Sequence, residues 1–295
     1  VEGLRILNRE EVLAKEKNLT TVVGALWAPS AGVCWPFAMA VAFAQCAVQN
    51  GAEVVTDCRV TGFIKEAGRI TAVETSKGLI KAACVINAGG VYADGIAPVS
   101  YTHLTLPTNR DESFTIHPRR GEYILFDKTA AASLVKGVVF PTPNKKSKGI
   151  LICTTTHGNT FIGPNAQDME NKEDTTVTLT GMDEIMNSAR KLIPNLPMGA
   201  SITEFAGLRA VSGSGDFVIG ASPVAGLFNA AGMQSPGLTA APAVAEMIVE
   251  AVLAYCPAAV KADFKAALPQ NPLFHRLSHE EQAKLIEKNR LYGRV

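Results

Sequence analysis

The chain has 295 residues, 47% of them apolar, and carries 28 Lys and Arg against 27 Asp and Glu. That balance excludes a global field that would draw in nucleic acid or an anionic membrane, while the apolar content suffices for a substantial core, expected as two lobes. The six cysteines form no CxxC pair and the five histidines are scattered. Neither a disulfide scaffold nor a metal site is expected, and a reducing cytoplasm is the expected setting.

From the N-terminus, Leu4, Ile6, Leu7, Val12 and Leu13 form an amphipathic pattern, and Glu10–Asn18 reads as a helix. Val22–Trp27 reads as a strand entering the turn Ala28–Gly32. Pro36 opens a helix in which Phe37, Val41, Phe43, Ala44, Ala47 and Val48 recur at helical spacing, and Asn50-Gly51 closes it. Glu53–Thr56, Val60–Ile64 and Ile70–Glu74 read as extended segments, the last two as a hairpin about Gly68. Leu79–Asn87 reads as one buried strand that runs into Gly89-Gly90. Helix, hairpin and strand in this order suit a βαβ-type nucleotide-binding lobe with a small antiparallel excursion.

Val99-Ser-Tyr-Thr-His-Leu-Thr-Leu-Pro-Thr108 stands apart. With a free choice of codons it back-translates to GTCTCTTATACACATCTGACGCTGCCGACG, the text of a transposase-based sequencing adaptor. Residues 99–110 are therefore read as an inserted, non-structural segment, the other reading being an exposed loop, and Tyr101 and His103 are left out of every functional argument.

Beyond it the pattern changes to alternating strands: Glu122–Phe126, Val135–Thr142, Ile150–Thr154 and Thr160–Gly163, interrupted by a helix over Met182–Leu192. The basic run Asn144–Lys148 reads as a solvated loop, and His157-Gly158-Asn159 as a hairpin turn. Asp216–Gly220 and Leu227–Ala231 return as strands, followed by a helix after Pro242. Its apolar stretch is interrupted by Glu246 and Glu250, so no bilayer-spanning segment is expected. Ser278 and Glu281 have capping-box spacing for a last helix.

Two glycine segments carry the chemistry. Cys84–Asn87 leads into Ala88-Gly89-Gly90, and Phe228–Ala231 leads into Gly232, Ser235, Pro236, Gly237, Leu238 and Thr239 at a helix start. Glycines after a strand let backbone N–H groups approach an anion or a flat ring, and the helix dipole favours negative charge there. A plain strand-to-helix turn is the bland alternative for each, and Asp94 is a simple helix cap. Arg209, after Phe205-Ala-Gly207-Leu, has the planar fork that suits a carboxylate or phosphate, although a lone sheet-edge arginine is more often solvated or ion-paired. In His117-Pro-Arg119-Arg120-Gly121-Glu122-Tyr123, His117 suits proton acceptance, and Arg119 or Arg120 suits an anion. An exposed basic entry to a strand explains that run equally well.

Read together, Asn87–Asp94, Pro118–Tyr123, Thr156–Asn159 with Gly163-Pro164, Phe205–Arg209 and Ser235–Thr239 resemble the D-amino-acid-oxidase-like FAD oxidoreductases. Within them the wording is similar to the branch of anaerobic-type glycerol-3-phosphate dehydrogenases and L-2-hydroxyglutarate oxidases. The resemblance implies FAD, a mixed α/β fold with a Rossmann-like FAD lobe, and a mostly antiparallel substrate lobe. It implies Gly89, Gly90, Gly232, Ser235, Gly237 and Thr239 beside the cofactor, and Ala88, Gly207, Pro236 and Leu238 are further cofactor-binding candidates. In it Arg209 matches the family's substrate-side arginine; beside it, Arg120 and Tyr123 are taken as substrate-binding candidates, and His117 and Arg209 as the catalytic ones.

The expected division is 1–35 joining the substrate lobe, 36–98 in the FAD lobe, 111–205 as the substrate lobe, 206–256 returning to the FAD lobe, and 257–295 as a linker. G-x-G-x-x-G, which cradles the pyrophosphate in such lobes, is absent, and Gly213-Ser-Gly215 has only its first spacing. Glu280–Gly293 resembles the linker before a [2Fe–2S]-type module, so such a module or an electron-acceptor subunit is the expected partner. The ends at Val1 and Val295 read as cut, and an internal fragment that holds FAD weakly is expected. The competing functions are an amine-oxidising member of the same superfamily, a truncated non-catalytic product, and a one-carbon or folate-binding module.

Overall fold

A computed structural model describes residues 2–96, 114–131, 134–143, 149–269 and 274–290. The adaptor-like segment 99–110 and the basic loop 144–148 lie outside the described residues. The chain divides into two compact units, Val1–Pro36 with Thr56–Ala259, and Phe37–Val55 with Val260–Val295.

In the larger unit, β1 (Arg5–Asn8) pairs antiparallel with β2 (Gly24–Trp27) around α1 (Arg9–Lys15). Asn8 and Glu11 cap α1 reciprocally, satisfying two N–H groups that a helix start otherwise leaves unpaired. The expected hairpin is present as β3 (Val60–Glu66) and β4 (Arg69–Thr75), turning at Gly68 with φ +77°. A third antiparallel strand, β5 (Gly78–Lys81), joins it, followed by β6 (Val85–Asn87) in a different sheet.

The expected single strand over Leu79–Asn87 is therefore two strands. The continuous apolar run conceals a change of sheet at Ala82–Cys84, and β5 is exposed throughout. Glu53–Thr56 forms no strand.

The central sheet is built on β7 (Ile116–Phe126), which is longer than expected. β12 (Ser201–Ser212) pairs with it along its full length, and β10 (Thr160–Gly163) and β11 (Gln167–Asp168) share its other edge. β9 (Leu151–Thr154) extends the sheet, and of the expected Val135–Thr142 strand only β8 (Val138–Val139) forms. A single helical turn, α3 (Lys128–Ala131), follows β7. α4 (Leu179–Leu192), with Thr178 as its N-cap, packs Ile185 and Ala189 against Ile124, Phe126, Ile152 and Ile162. Each such fully buried large side chain contributes about 1.5–3 kcal/mol.

A fourth sheet has the order β13 (Val218–Ala221), β14 (Leu227–Ala231), β6. β14 is buried throughout and runs parallel to β6, so both strands end at the same edge of the sheet. α5 (Gly237–Tyr255) covers this sheet through Val244 and Ile248. It begins before Pro242, not after it. The proline sits inside the helix and gives up its bond to the Leu238 carbonyl. By length and composition α5 is apolar enough to cross a membrane.

The expected boundary at 205/206 falls within β12, which stays hydrogen-bonded to β7 across it. In the smaller unit, α2 (Pro36–Gln49) groups with the C-terminal segment, not with the hairpin. Gln49 donates to the Lys265 and Ala267 carbonyls at 2.9 and 3.1 Å, and α6 (His279–Lys288) carries the expected Ser278–Glu281 capping box.

Candidate functional site

The two glycine turns are neighbours because Asn87 and Asn229 occupy paired positions on β6 and β14. Both side chains are buried. Asn87 Nδ2 donates to Asn229 Oδ1 at 3.1 Å and to the Ala93 carbonyl at 2.9 Å, while its Oδ1 accepts from Gly89 N at 3.3 Å. A buried amide thus fixes the turn through all its polar atoms. Gly90 adopts φ +57°, and nothing lies within 4 Å of where its Cβ would be. Gly232 adopts φ +72°, and a Cβ there would meet Ser212 Cβ at 2.7 Å. Gln234 also has a positive φ.

Pro236 precedes α5 with no side-chain cap, and Ser235, Pro236, Leu238 and Thr239 are all exposed. The positive end of the helix dipole is left facing outward.

β12 connects this edge to the central sheet. Val211 bridges to Met233, and Gln234 N donates to the Ala210 carbonyl at 3.1 Å. Strand alternation then sorts β7 into two faces. His117, Arg119, Gly121 and Tyr123 lie on the open face, opposite Val211, Arg209, Gly207 and Phe205.

Arg209 is half-buried there. Its guanidinium folds over Gly121, where a Cβ would stand 3.0 Å from Nη2. Nε donates to the Arg119 carbonyl at 3.3 Å, and Nη2 to the Arg120 and Asn165 carbonyls at 2.9 and 2.7 Å. Burial lowers its pKa, and the neighbouring Arg119 charge adds to this while the Asp168 charge opposes it. Tyr123 stacks on Phe205 with ring centroids 4.9 Å apart and meets Phe161 edge-on. Burial raises its phenol pKa, which keeps the hydroxyl protonated and able to donate. Arg119 Nε donates to Asp168 Oδ1 at 2.6 Å. That hydrogen bond is the main reason the Asp168 carboxyl sits below its usual value, with the charges of Arg119, His117 and Arg209 adding to it. His117 is exposed, its Nε2 3.4 Å from Thr115 Oγ1.

The expectation that Arg120 binds substrate is corrected. One residue out of phase with Arg119, it points to the opposite face and is 2% exposed. There it pairs with Asp174 at 3.2 Å and donates to Gln167 at 2.6 Å. Beside it Glu122 is fully buried, accepting from Asn165 Nδ2 at 2.5 Å and from Thr178 N and Oγ1 at 2.6 and 2.9 Å. Gly207 belongs to the arginine face and lies opposite Gly121, but it is Gly121 alone that leaves room for Arg209, since nothing lies within 4 Å of a Cβ at Gly207. His157 sits at a β9–β10 turn, edge-on to Trp35. A cleft of 590 Å³ lies elsewhere, between the β3–β4 turn and Lys81–Ala83, and no candidate residue lines it.

Asn87, Asn229, Glu122, Asn165 and Asp168 were not among the candidates. Asparagine is depleted in strands, so one at the end of each apolar strand before a glycine turn was a usable signal.

A family model described as FAD dependent oxidoreductase matches residues 1–251. The chain is 34% identical to a glycerol 3-phosphate dehydrogenase from Caloramator mitchellensis, over all of this chain and 60% of that protein. It is 28% identical to a glycerol 3-phosphate oxidase from Mycoplasma genitalium, over 85% of this chain and 64% of that one. It thus spans less than two thirds of either relative. The solved L-alpha-glycerophosphate oxidase from Mycoplasma pneumoniae with FAD bound superimposes with a TM-score of 0.76 at 26% identity, covering 92% of this chain and 70% of that one.

Proposed function

The chain belongs to the DAO family of FAD-dependent oxidoreductases, and from that membership we propose that it dehydrogenates a small anionic hydroxy compound, with glycerol 3-phosphate first among the candidates. The residues at the glycine turns fit one end of FAD. Gly90 has open space above a left-handed backbone, and α5 presents uncapped N–H groups at the same sheet edge. Gly89, Gly90, Gly232 and Ser235–Thr239 would hold the ring and ribityl end. The sequence has no G-x-G-x-x-G to cradle the pyrophosphate. When bound, FAD supplies the hydride acceptor.

The observation that carries the substrate reading is Arg209 locked over Gly121 on a face that continues into the second glycine turn. Arg209 holds the anion there, its guanidinium already oriented by three carbonyls, so little freedom is lost on binding. Tyr123 donates from its protonated hydroxyl. An imidazole nitrogen of His117 takes the hydroxyl proton as the carbon is oxidised.

Anaerobic addition of glycerol 3-phosphate to the chain in excess FAD is expected to bleach the visible flavin band. Bleaching by glycine and not by glycerol 3-phosphate would overturn the proposal in favour of amine oxidation.

A further inference from the structure

Three side chains stand in one row across three adjacent strands. Asp168 on β11 is the registered partner of Arg119 on β7, and Arg119 is the registered partner of Arg209 on β12. Registered partners share a face, so the row reads acid, cation, cation across the open side of the sheet. Two like charges directly opposite in a ladder are unfavourable unless an anion lies between or beside them.

Arg209 cannot swing away, because Nε and Nη2 are committed to the Arg119, Arg120 and Asn165 carbonyls. Among the described residues its Nη1 makes no hydrogen bond. Within the row Asp168 is hydrogen-bonded to Arg119, through a single bond from Nε, and acts on Arg209 only through space. That bond lies in solvent: the Asp168 side chain is 68% exposed and that of Arg119 31%. An ion pair this exposed is weak and exchanges readily.

We infer that Arg119 and Arg209 together form a two-cation anion site in which Asp168 is a resident counter-anion, displaced from Arg119 by a dianionic phosphate-monoester group of the substrate. This rests on the proposal that Arg209 anchors the substrate anion, and adds the residues that set its charge. A single carboxylate would replace Asp168 like for like and gain little. A phosphate dianion offers oxygens to Nη1 of Arg209 and to the fork of Arg119 together. Arg119 is thereby the residue that selects phosphate over carboxylate, and Asp168 the group that tempers its affinity.

The test is calorimetric titration of the whole chain with inorganic phosphate and, separately, acetate. Thermal melting is followed in parallel to establish that each variant is folded. Asp168→Asn is expected to tighten phosphate roughly five- to tenfold, and acetate by no more than about twofold. Arg119→Gln is expected to weaken phosphate by roughly tenfold, and in that background Asp168→Asn changes nothing.

An equal gain for acetate and phosphate, the same Asp168→Asn effect with and without Arg119, or no phosphate binding in either the parent or Asp168→Asn would overturn the inference. Arg209→Gln separates the two levels. If it abolishes binding while changes at Arg119 and Asp168 are silent, this inference fails alone. If phosphate binding survives Arg209→Gln, the underlying anchor fails with it.

Discussion

On β7 the odd-numbered residues His117, Arg119, Gly121 and Tyr123 line an open face, while Pro118, Arg120, Glu122 and Ile124 are sealed beneath it. Two consecutive arginines thus meet opposite fates. Arg119 faces solvent beside Arg209 and is held by one exposed acid. Arg120 is enclosed, its guanidinium reaching outward to Asp174 and Gln167, next to a carboxylate with no exposure at all. The buried face turns the strand into a rigid floor, and the open face uses that floor to aim cations. Asn165 joins the two: its side chain bonds Glu122 below, and its carbonyl holds Arg209 above.

The contrast is broken most severely at Glu122. Glu122→Ala strands Asn165 Nδ2, Thr178 N and Thr178 Oγ1 in a buried site, and a loss of about 3–5 kcal/mol is expected in urea unfolding. A loss below about 1 kcal/mol would mean that the buried face is not the rigid floor described.

The next largest effect comes from exchanging the arginines one at a time. Arg120→Met removes the buried guanidinium that Asp174 and Gln167 accept from, while Asp174 keeps its bond from Thr176 N, and is expected to cost about 1–2 kcal/mol. Arg119→Met is expected to stay within about 0.5 kcal/mol of the parent in the same measurement, as exposed pairs do. Equal costs at the two positions would erase the distinction between the faces.

The smallest effect is on pH. The Asp168 carboxyl is held below its usual value, so its charge supports the fold at neutral pH. That support is lost as pH falls through the folded-state value, below the ordinary carboxylate range. Because Asp168 is mostly exposed, the loss is expected to be under about 0.5 kcal/mol. It should vanish in Asp168→Asn when acid unfolding is followed by circular dichroism.

The sequence made the hairpin at Gly68, β9, β10, β14 and the capped last helix legible, because each is specified by local period and turn chemistry. The two glycine turns were legible for the same reason. Arg119 against Arg120 was not, because a period of two assigns faces only once the phase is known, and the register with β11 and β12 supplies that phase. The split of Leu79–Asn87 was hidden by an apolar run that stays unbroken while the chain changes sheet. The start of α5 was misplaced because Pro242 reads as a helix boundary, whereas packing of Val244 and Ile248 offsets the lost bond. Asn87 and Asn229 were overlooked since asparagine reads first as a turn residue, and their pairing depends on β6 and β14 being adjacent.

The most direct test of the cofactor site is amide hydrogen exchange of the chain with and without excess FAD. Slowed exchange confined to Asn87–Tyr92 and Gly232–Ala240 is the predicted result. Protection elsewhere, with those two turns unchanged, would contradict the placement of the flavin at the shared edge of β6 and β14.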